Sequence, residues 1–285
     1  MNKQQTISKP VSLKGVGIHS GNEVNLTFKP ANEDFGYAFC RTDLPGKPII
    51  EADVNYVVST ERGTTLEKNG VNIQTSEHVL AALTGLEIDN VLIEIDASEP
   101  PIMDGSSKFF VKALIDAGIE EQSKDRNEYV VKEIISYYDE KSGSDITVLP
   151  SDSYEVTAMV DFGTKILGTQ NATMKNLNEF KDNFSNARTF SFLHEIEMLV
   201  DNGLIKGGDL NNAIVYVDKE LDEVTMSKLK KAFNKDKISV KPNGILDNLT
   251  LHYPNEAARH KLLDVVGDLA LIGTRIKGKV IANKP

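Results

Sequence analysis

The hydrophobic pattern in the first part of the chain alternates between strands and helices. Residues 24–28 alternate apolar and polar side chains, as in a strand with one buried face, and 91–95 reads as a buried strand. Helices are expected after Thr75-Ser76 and after Ser106 or Ser107, because serine and threonine are common N-terminal caps and apolar residues follow at helical spacing. Gly85 is expected to end the first of these helices.

The second part of the chain predicts the same mixture of elements. Strand patterns recur in three stretches, 129–137, 146–149 and 154–162. A final helix from about 255 to 273 leads into a strand at 276–282. The segment 120–128 is polar throughout and predicts a boundary between an N-terminal domain, 1–122, and a C-terminal domain, 128–285.

Composition and charge narrow the classes of function. The 285 residues are 40% hydrophobic and 26% charged, which is ordinary globular composition, and the net charge is −10. This negative charge argues against general nucleic-acid binding, because such binding needs a basic face that neutralises phosphates. Cys40 is the only cysteine, so neither an intrachain disulfide nor a cysteine-rich zinc site can form. No transmembrane segment or signal peptide is recognisable, and we expect a cytoplasmic protein.

The most informative chemical pattern is an aspartate four residues after a histidine. The chain has five histidines: His19, His78, His194, His252 and His260. On a helix, His260 and Asp264 would share one face, so both could bind one ion. Imidazole and carboxylate suit zinc, and three protein ligands leave a fourth position for water. A solvated helix face remains the ordinary explanation of such a spacing.

His78 is the candidate for the third ligand. Glu77 beside it could act as the base that takes a proton from a metal-bound water. The ordinary alternative is that Glu77 only stabilises the first turn of its helix. Residues 259–262 can be aligned with 77–80, and each segment continues into a glycine and a strand. This match indicates two related halves unless it arises by chance, and spacing alone cannot show that the two helices meet.

Several ordered motifs together resemble one enzyme family. They are Gly15-Val16-Gly17-Ile18-His19, Ser76-Glu77-His78, Pro101-Ile102-Met103-Asp104-Gly105-Ser106, Ala187-Arg188-Thr189-Phe190, Gly207-Gly208 and Arg259-His260-Lys261 with Asp264. Nearly the whole chain resembles the UDP-3-O-acyl-N-acetylglucosamine deacetylases, zinc enzymes of lipid A biosynthesis in Gram-negative bacteria. The resemblance implies an α+β fold of two domains with similar topology, in which the helices are sandwiched between two β-sheets.

The resemblance also implies roles for individual residues. The zinc (Zn²⁺) ligands would be His78, His260 and Asp264, and the general base would be Glu77. Three further residues match catalytic positions: Thr189 for the oxyanion, Lys261 for substrate contact and Asp268 as the partner of a general acid. Substrate would contact His19, Phe162 (at uracil), Phe190 and Lys284 (at the nucleotide). The acyl chain would lie along Leu193, Ile196, Ile205, Leu210, Ala213 and Val215, which without the resemblance read as core residues.

One departure from the family pattern affects the expected activity. The family places a Gly-His pair just after the position of Lys284-Pro285, and its histidine is the usual general acid. Some relatives fuse the deacetylase to a dehydratase domain, so this chain is expected to be the deacetylase part of such a fusion or a short form. We expect it to bind zinc but to deacetylate poorly. Acetate release with and without a C-terminal extension carrying Gly-His would test this.

Two other functions stay open from the sequence. A zinc peptidase would use the same metal chemistry, but the H-E-x-x-H pattern is absent. A non-catalytic module that binds nucleotide sugars or acyl chains is the other alternative, and it would show no turnover to lose when Glu77 is replaced. The partner that the family resemblance implies is a UDP-linked acylated amino sugar, whose amphiphilic character implies transient contact with a membrane surface.

Overall fold

The computed structural model describes residues 2–201, 206–209, 211–219, 221–233, 237–247 and 249–285. The first part of the chain is built mainly of short strands. They are β1 (Lys3–Ile7), β2 (Val11–Val16), β3 (Glu23–Pro30), β4 (Tyr37–Arg41), β5 (Ile49–Glu51), β6 (Val57–Ser59), β7 (Thr65–Lys68), β8 (Val71–Ile73), β9 (Val91–Ile95) and β10 (Ile119–Asp125). Two helices interrupt them, α1 (Glu77–Gly85) and α2 (Lys108–Ala117).

The second part of the chain has eight strands and four helices among the described residues. The strands are β11 (Glu128–Val130), β12 (Ile135–Asp139), β13 (Ser144–Leu149), β14 (Tyr154–Asp161), β15 (Thr169–Met174), β16 (Phe190–Phe192), β17 (Ile214–Tyr216) and β18 (Arg275–Asn283). The helices are α3 (Phe180–Asn183), α4 (Leu193–Asp201), α5 (Glu223–Ala232) and α6 (Glu256–Leu269).

The two large sheets have the same strand order and the same strand directions. The first runs β2-β3-β9-β4-β5, with β9 antiparallel to β3 and parallel to β4. The second runs β12-β13-β18-β14-β15, with β18 antiparallel to β13 and parallel to β14. In each sheet the central strand follows a helix, α1 before β9 and α6 before β18. The α+β class and the similar topology of the two halves are therefore confirmed.

Helices α1, α2 and α6 lie between the inner faces of these two sheets. Strand β3 buries the alternating residues Val24, Leu26 and Phe28, as the sequence predicts, and the Phe28 ring meets Phe110 of α2 edge-on. On the other side α6 packs against β14 and β15, and α1 packs against both α2 and α6. Inward residues of both sheets join one continuous apolar core, whose removal from water is the main source of stability.

The contact between α1 and α6 depends on Gly267. A Cβ atom at this position would lie 2.1 Å from the carbonyl oxygen of Glu77, so only glycine allows the two backbones to come this close. Because Glu77 and His78 begin α1, and His260 and Asp264 lie on α6, this approach controls how closely the predicted site residues can meet.

Replacing Gly267 by alanine is expected to lower the free energy of unfolding by about 1–3 kcal/mol through overpacking. The effect opposes helix propensity, which favours alanine over glycine by about 1 kcal/mol. Urea unfolding followed by circular dichroism would measure it. Gly273→Ala is the control, because a Cβ there meets no described atom within 4 Å and only the positive φ of 76° is strained. A Gly267→Ala protein as stable as the unaltered chain would contradict this packing.

Two local expectations, on the segment 120–128 and on the helix caps, differ from the structure. The polar segment 120–128 contributes to strand β10, which pairs with β1, so most of it is not a linker; the domain boundary itself stays a prediction. The hydroxyls of Ser76 and Ser107 donate to the carbonyls of Thr64 and His78 and do not cap their helices. The Ser106 hydroxyl does accept from the N–H of Lys108, the first residue of α2.

Among the described residues, no helix is both long and apolar enough to cross a membrane.

Candidate metal centre and surrounding cavity

The structure brings His78, His260 and Asp264 together at the contact between α1 and α6. Their potential ligand atoms all lie within 4.8 Å of one another. Each histidine Nε2 is 3.5 Å from Asp264 Oδ1, and the two imidazole rings meet edge-on with centroids 5.0 Å apart. Both histidines are buried. Two residues that share a helix face thus meet a third from the other half of the chain.

The chemistry of this group fits a metal cation. Asp264 Oδ1 is buried and has no hydrogen-bond partner among the described residues. Burying an unpartnered carboxylate oxygen destabilises the fold unless a cation or a water molecule binds it. Burial lowers the pKa of His260 to about 4, so its imidazole is neutral, as a metal ligand must be. Its Nδ1 lies 3.0 Å from the Ala187 carbonyl, which leaves Nε2 free to coordinate. Two imidazoles and a carboxylate form a donor set that suits zinc.

Glu77 stands beside this group with a perturbed carboxyl. Burial raises its pKa to about 7, and the nearby His78 only partly offsets that effect. The backbone N–H of Thr64 donates to Glu77 Oε2 at 2.9 Å and so fixes the side chain. A carboxyl that exchanges its proton near neutral pH is suited to general acid–base chemistry.

A buried ion pair holds the segment that carries Thr189. Arg188 Nε donates to Glu256 Oε1 at 2.9 Å, and both side chains are buried. The N–H of Thr189 donates to the Gly105 carbonyl at 2.7 Å. A Cβ at Gly105 would lie 2.0 Å from the Asn212 carbonyl, so this junction too requires glycine. Thr189 lies directly before strand β16.

Lys261 and Asp268 flank the group on α6. Lys261 Nζ lies 3.3 Å from Asp264 Oδ2. Burial lowers the pKa of Lys261, but the carboxylates of Asp264, Asp268 and Glu77 more than offset this and raise it, so the lysine is positively charged. Asp268 Oδ1 accepts a hydrogen bond of 2.6 Å from the Thr64 hydroxyl. The same threonine therefore contacts Glu77 of one helix and Asp268 of the other.

A cavity of about 520 Å³ opens onto the metal group. This volume lies in the range of small-molecule sites. Every residue of the predicted metal and catalytic set contributes to its wall, and so do several of the predicted substrate contacts. These contacts are His19, Phe162, Phe190, Ile196, Ala213 and Val215.

Two predicted substrate contacts, Leu193 and Lys284, do not line this cavity, and two others fall on residues that the structure does not describe. Leu193 is fully buried and packs with Val215, Leu229 and Leu246. Lys284 is not part of the cavity wall, although the adjacent Pro285 is. The carbonyl of Lys284 accepts a hydrogen bond from the Ser144 hydroxyl. Ile205 and Leu210 lie outside the described residues. The roles expected for these four residues stay predictions.

Sequence reasoning missed Thr64 and the loop around it. Thr60, Arg62, Gly63 and Thr64 all line the cavity, and Thr64 bonds to two of the candidate catalytic carboxyls. The stretch is short, polar and without periodicity, so it predicts only a turn. Its importance comes from the contact between Thr64 and Asp268, which are 204 positions apart in the sequence. No local sequence pattern reveals such a contact.

Comparison with known proteins places the chain in a family. The family model described as LpxC, UDP-3-O-acyl N-acetylglycosamine deacetylase, matches residues 4–238 and 217–285. The bifunctional enzyme LpxC/FabZ of Chlorobaculum tepidum is 45% identical over 285 residues, which are 99% of this chain and 61% of that protein. The namesake from Bacteroides thetaiotaomicron is 44% identical, covering 100% of this chain and 62% of its own length.

A shorter relative supports the same assignment. The UDP-3-O-acyl-N-acetylglucosamine deacetylase of Myxococcus xanthus is 37% identical over 282 residues, 99% of this chain and 82% of that protein. The chain thus spans about three fifths of the length of the two bifunctional relatives and most of this one. The resemblance of the ordered motifs is confirmed, and the chain belongs to the LpxC family of UDP-3-O-acyl N-acetylglycosamine deacetylases.

Proposed function

We propose that the chain hydrolyses the N-acetyl group of a UDP-3-O-(3-hydroxyacyl)-N-acetylglucosamine and releases acetate, a step of lipid A biosynthesis. The observation that carries the proposal is the convergence of His78, His260 and Asp264 beside Glu77 on one cavity wall. Family membership supports the substrate class. A peptidase has no comparable support, because no relative cited above carries such a name.

The metal we propose is zinc, held by His78, His260 and Asp264. When bound, it supplies Lewis acidity that polarises the amide carbonyl and acidifies water at neutral pH. The protein contributes the neutral imidazole of His260 and the carboxylate oxygen of Asp264 that has no other partner among the described residues. The buried position of both histidines also limits competing water.

Glu77 is the proposed general base. Its carboxylate would accept a proton from the attacking water and then deliver it toward the departing nitrogen, so that acetate and the free amine form. The bond from the Thr64 N–H keeps the carboxylate oriented, and burial keeps its proton affinity high enough to accept a proton. Asp268 accepts a hydrogen bond from the Thr64 hydroxyl and so shares this network. In relatives that carry the C-terminal histidine, the residue that matches Asp268 would orient that histidine as the usual proton donor.

Thr189 and Lys261 are the proposed donors to developing negative charge. A hydroxyl placed where the tetrahedral oxyanion forms stabilises the transition state more than the substrate. The Gly105 and Arg188 contacts described above fix the backbone of Thr189. Lys261 remains positively charged beside Asp264 and can also attract the diphosphate of the substrate.

The apolar part of the cavity suits the acyl chain. Ile196, Ala213 and Val215 line it together with Phe190, and each buried CH₂ of a ligand gains about 0.8 kcal/mol on leaving water. Phe162 is 44% exposed and its ring contacts Phe190 and Phe192, so it offers an aromatic surface for a base. His19 lines the same cavity and is the proposed polar contact on the substrate side.

Replacing Thr189 by valine is expected to lower kcat about 10²–10³-fold, because the oxyanion loses one donor while the side-chain shape is kept. KM should change little, since the donor acts mainly in the transition state. Steady-state kinetics would measure both. Thr189→Ser keeps the hydroxyl and should retain most of the activity. Equal activities of the valine and serine variants would remove Thr189 from the mechanism.

Acetate release tests the proposed function directly. The purified chain, loaded with zinc, would be incubated with UDP-3-O-acyl-N-acetylglucosamine and with its analogue lacking the acyl chain. We expect equimolar acetate and free amine from the acylated substrate, and much less from the analogue. Tight binding of the substrate with no acetate, at any enzyme concentration, would instead identify a binding module.

A further inference from the structure

Glu99 is a buried carboxylate that the proposed mechanism does not use. Its side chain has no exposed surface. Its two oxygens accept hydrogen bonds from the backbone N–H of His19 at 3.1 and 3.2 Å and from that of Ser20 at 3.0 Å. A third donor, the Thr75 hydroxyl, lies at 3.2 Å. Hydrogen bonds to an ionised acceptor are stronger than neutral ones, so this carboxylate holds the turn formed by residues 17–21 firmly.

The turn 17–21 is closely packed against Glu99 on one side and the segment 206–209 on the other. A Cβ at Gly17 would lie 2.4 Å from Glu99 Oε2 and 2.4 Å from the Ser20 hydroxyl. On its other side, a Cβ at Gly207 would lie 2.0 Å from the Gly17 carbonyl, and the N–H of Gly207 donates to the Ile18 carbonyl. The carboxylate and the segment 206–209 therefore hold the turn from opposite sides.

The turn connects two parts of the cavity wall. Ile18 and His19 of the turn face the cavity, and so do Gly208 and Asp209 of the segment it contacts. That segment precedes Ala213 and strand β17, and Ala213 and Val215 of β17 line the apolar part. A movement of the turn would therefore shift the polar contact at His19 and the apolar wall together.

We propose that Glu99 is a positioning residue that fixes the turn 17–21 and thereby sets substrate affinity and acyl-chain selectivity. It acts through His19 and through the segment 206–209, and it does not touch the reacting atoms. The inference rests on the proposed deacetylase function. Glu77 has its own contact, to Thr64, so the chemical step depends much less on Glu99 than substrate binding does.

The variant Glu99→Gln tests the proposed positioning role, because glutamine keeps the shape of the side chain. Glu33→Gln is a matched control. Glu33 also accepts from two consecutive backbone N–H groups, those of Ser123 and Lys124, and from one hydroxyl, but it does not line the cavity. We expect Glu99→Gln to raise KM about tenfold, because it weakens charged hydrogen bonds. Its kcat should change less than about threefold, and its preference among acyl-chain lengths should flatten. Glu33→Gln should change neither constant.

Hydrogen exchange gives a readout that does not require turnover. In Glu99→Gln the amides of 17–21 and 206–209 should exchange faster while the rest of the chain is unaffected; in Glu33→Gln only those near 123–124 should respond. Gly17→Ala is a second variant, which displaces the turn while Glu99 stays intact, and it should reproduce the kinetic pattern. If the unaltered protein releases no acetate, the function fails but exchange still tests the positioning. Unchanged exchange at 206–209, or unchanged KM in an active protein, overturns the proposal.

Discussion

Replacing Glu77 by glutamine is expected to lower kcat about 10²–10⁴-fold, the usual contribution of a general base. Glutamine keeps the size of the side chain and can still accept the hydrogen bond from the Thr64 N–H. It cannot take a proton from water, so only the chemical step should suffer. Substrate binding and metal content should stay close to those of the unaltered protein.

The measurement combines steady-state acetate release, calorimetric substrate binding and metal analysis of the same preparation. Glu67→Gln, at an exposed position on β7, is the control for removing one negative charge. A Glu77→Gln protein that keeps more than about a tenth of its kcat would rule out the assigned base, given the magnitude expected above. Loss of metal in this variant would mean that Glu77 belongs to the ligand set instead.

Replacing Asp264 by alanine is expected to abolish stoichiometric metal binding, and with it activity. Asp264 Oδ1 lies 3.5 Å from each histidine Nε2, so removal of Asp264 leaves only two imidazoles and no carboxylate in the ligand set to balance a divalent cation. Loss of an outer hydrogen-bond partner alone typically costs 10–100-fold in metal affinity, and loss of a ligand should cost more than this.

Zinc titration of the demetallated proteins would measure the change, with Asp218→Ala as a matched control. Asp218 also bonds to a histidine, His194, but neither residue belongs to the His78, His260 and Asp264 group. The control should bind zinc as the unaltered protein does. Equal zinc affinity of the Asp264→Ala protein would place the metal elsewhere.

Elements with strong local patterns were predictable from the sequence. The final helix, expected from about 255 to 273, spans Glu256–Leu269 and continues in a short 3-10 turn, Ala270–Ile272. The strand expected at 276–282 is Arg275–Asn283. Their periodicity is encoded by neighbouring residues, so it can be read without knowing the rest of the fold.

Contacts between distant segments were not predictable in the same way. Ser76 and Ser107 have the right chemistry for helix caps, but tertiary contacts offer their hydroxyls other acceptors. Gly85 was expected as a helix stop and is the last residue of α1, but a Cβ there would lie 2.0 Å from the Phe180 ring. Here glycine is required by packing and not by a turn.

The candidate site shows the same division. The spacing of His260 and Asp264 indicated a shared helix face, which the structure has. Their proximity to His78 depends on the close approach of α1 and α6 at Gly267. From the sequence, only the family resemblance could predict that proximity. Thr64 and Glu99 had no signal at all, because their partners lie far away in sequence and in no repeated motif.

The two halves have the same sheet topology but contribute different residues to the candidate site. Four residues after His260 stands Asp264, but four residues after His78 stands Ala82; conversely, Glu77 precedes His78 while Arg259 precedes His260. Neither half alone therefore holds both a complete ligand set and a base. An ion that bridges the halves would resist their separation, and by linkage any opening of the helix contact would release it. Metal occupancy would in this way report on whether the two halves of the molecule are docked.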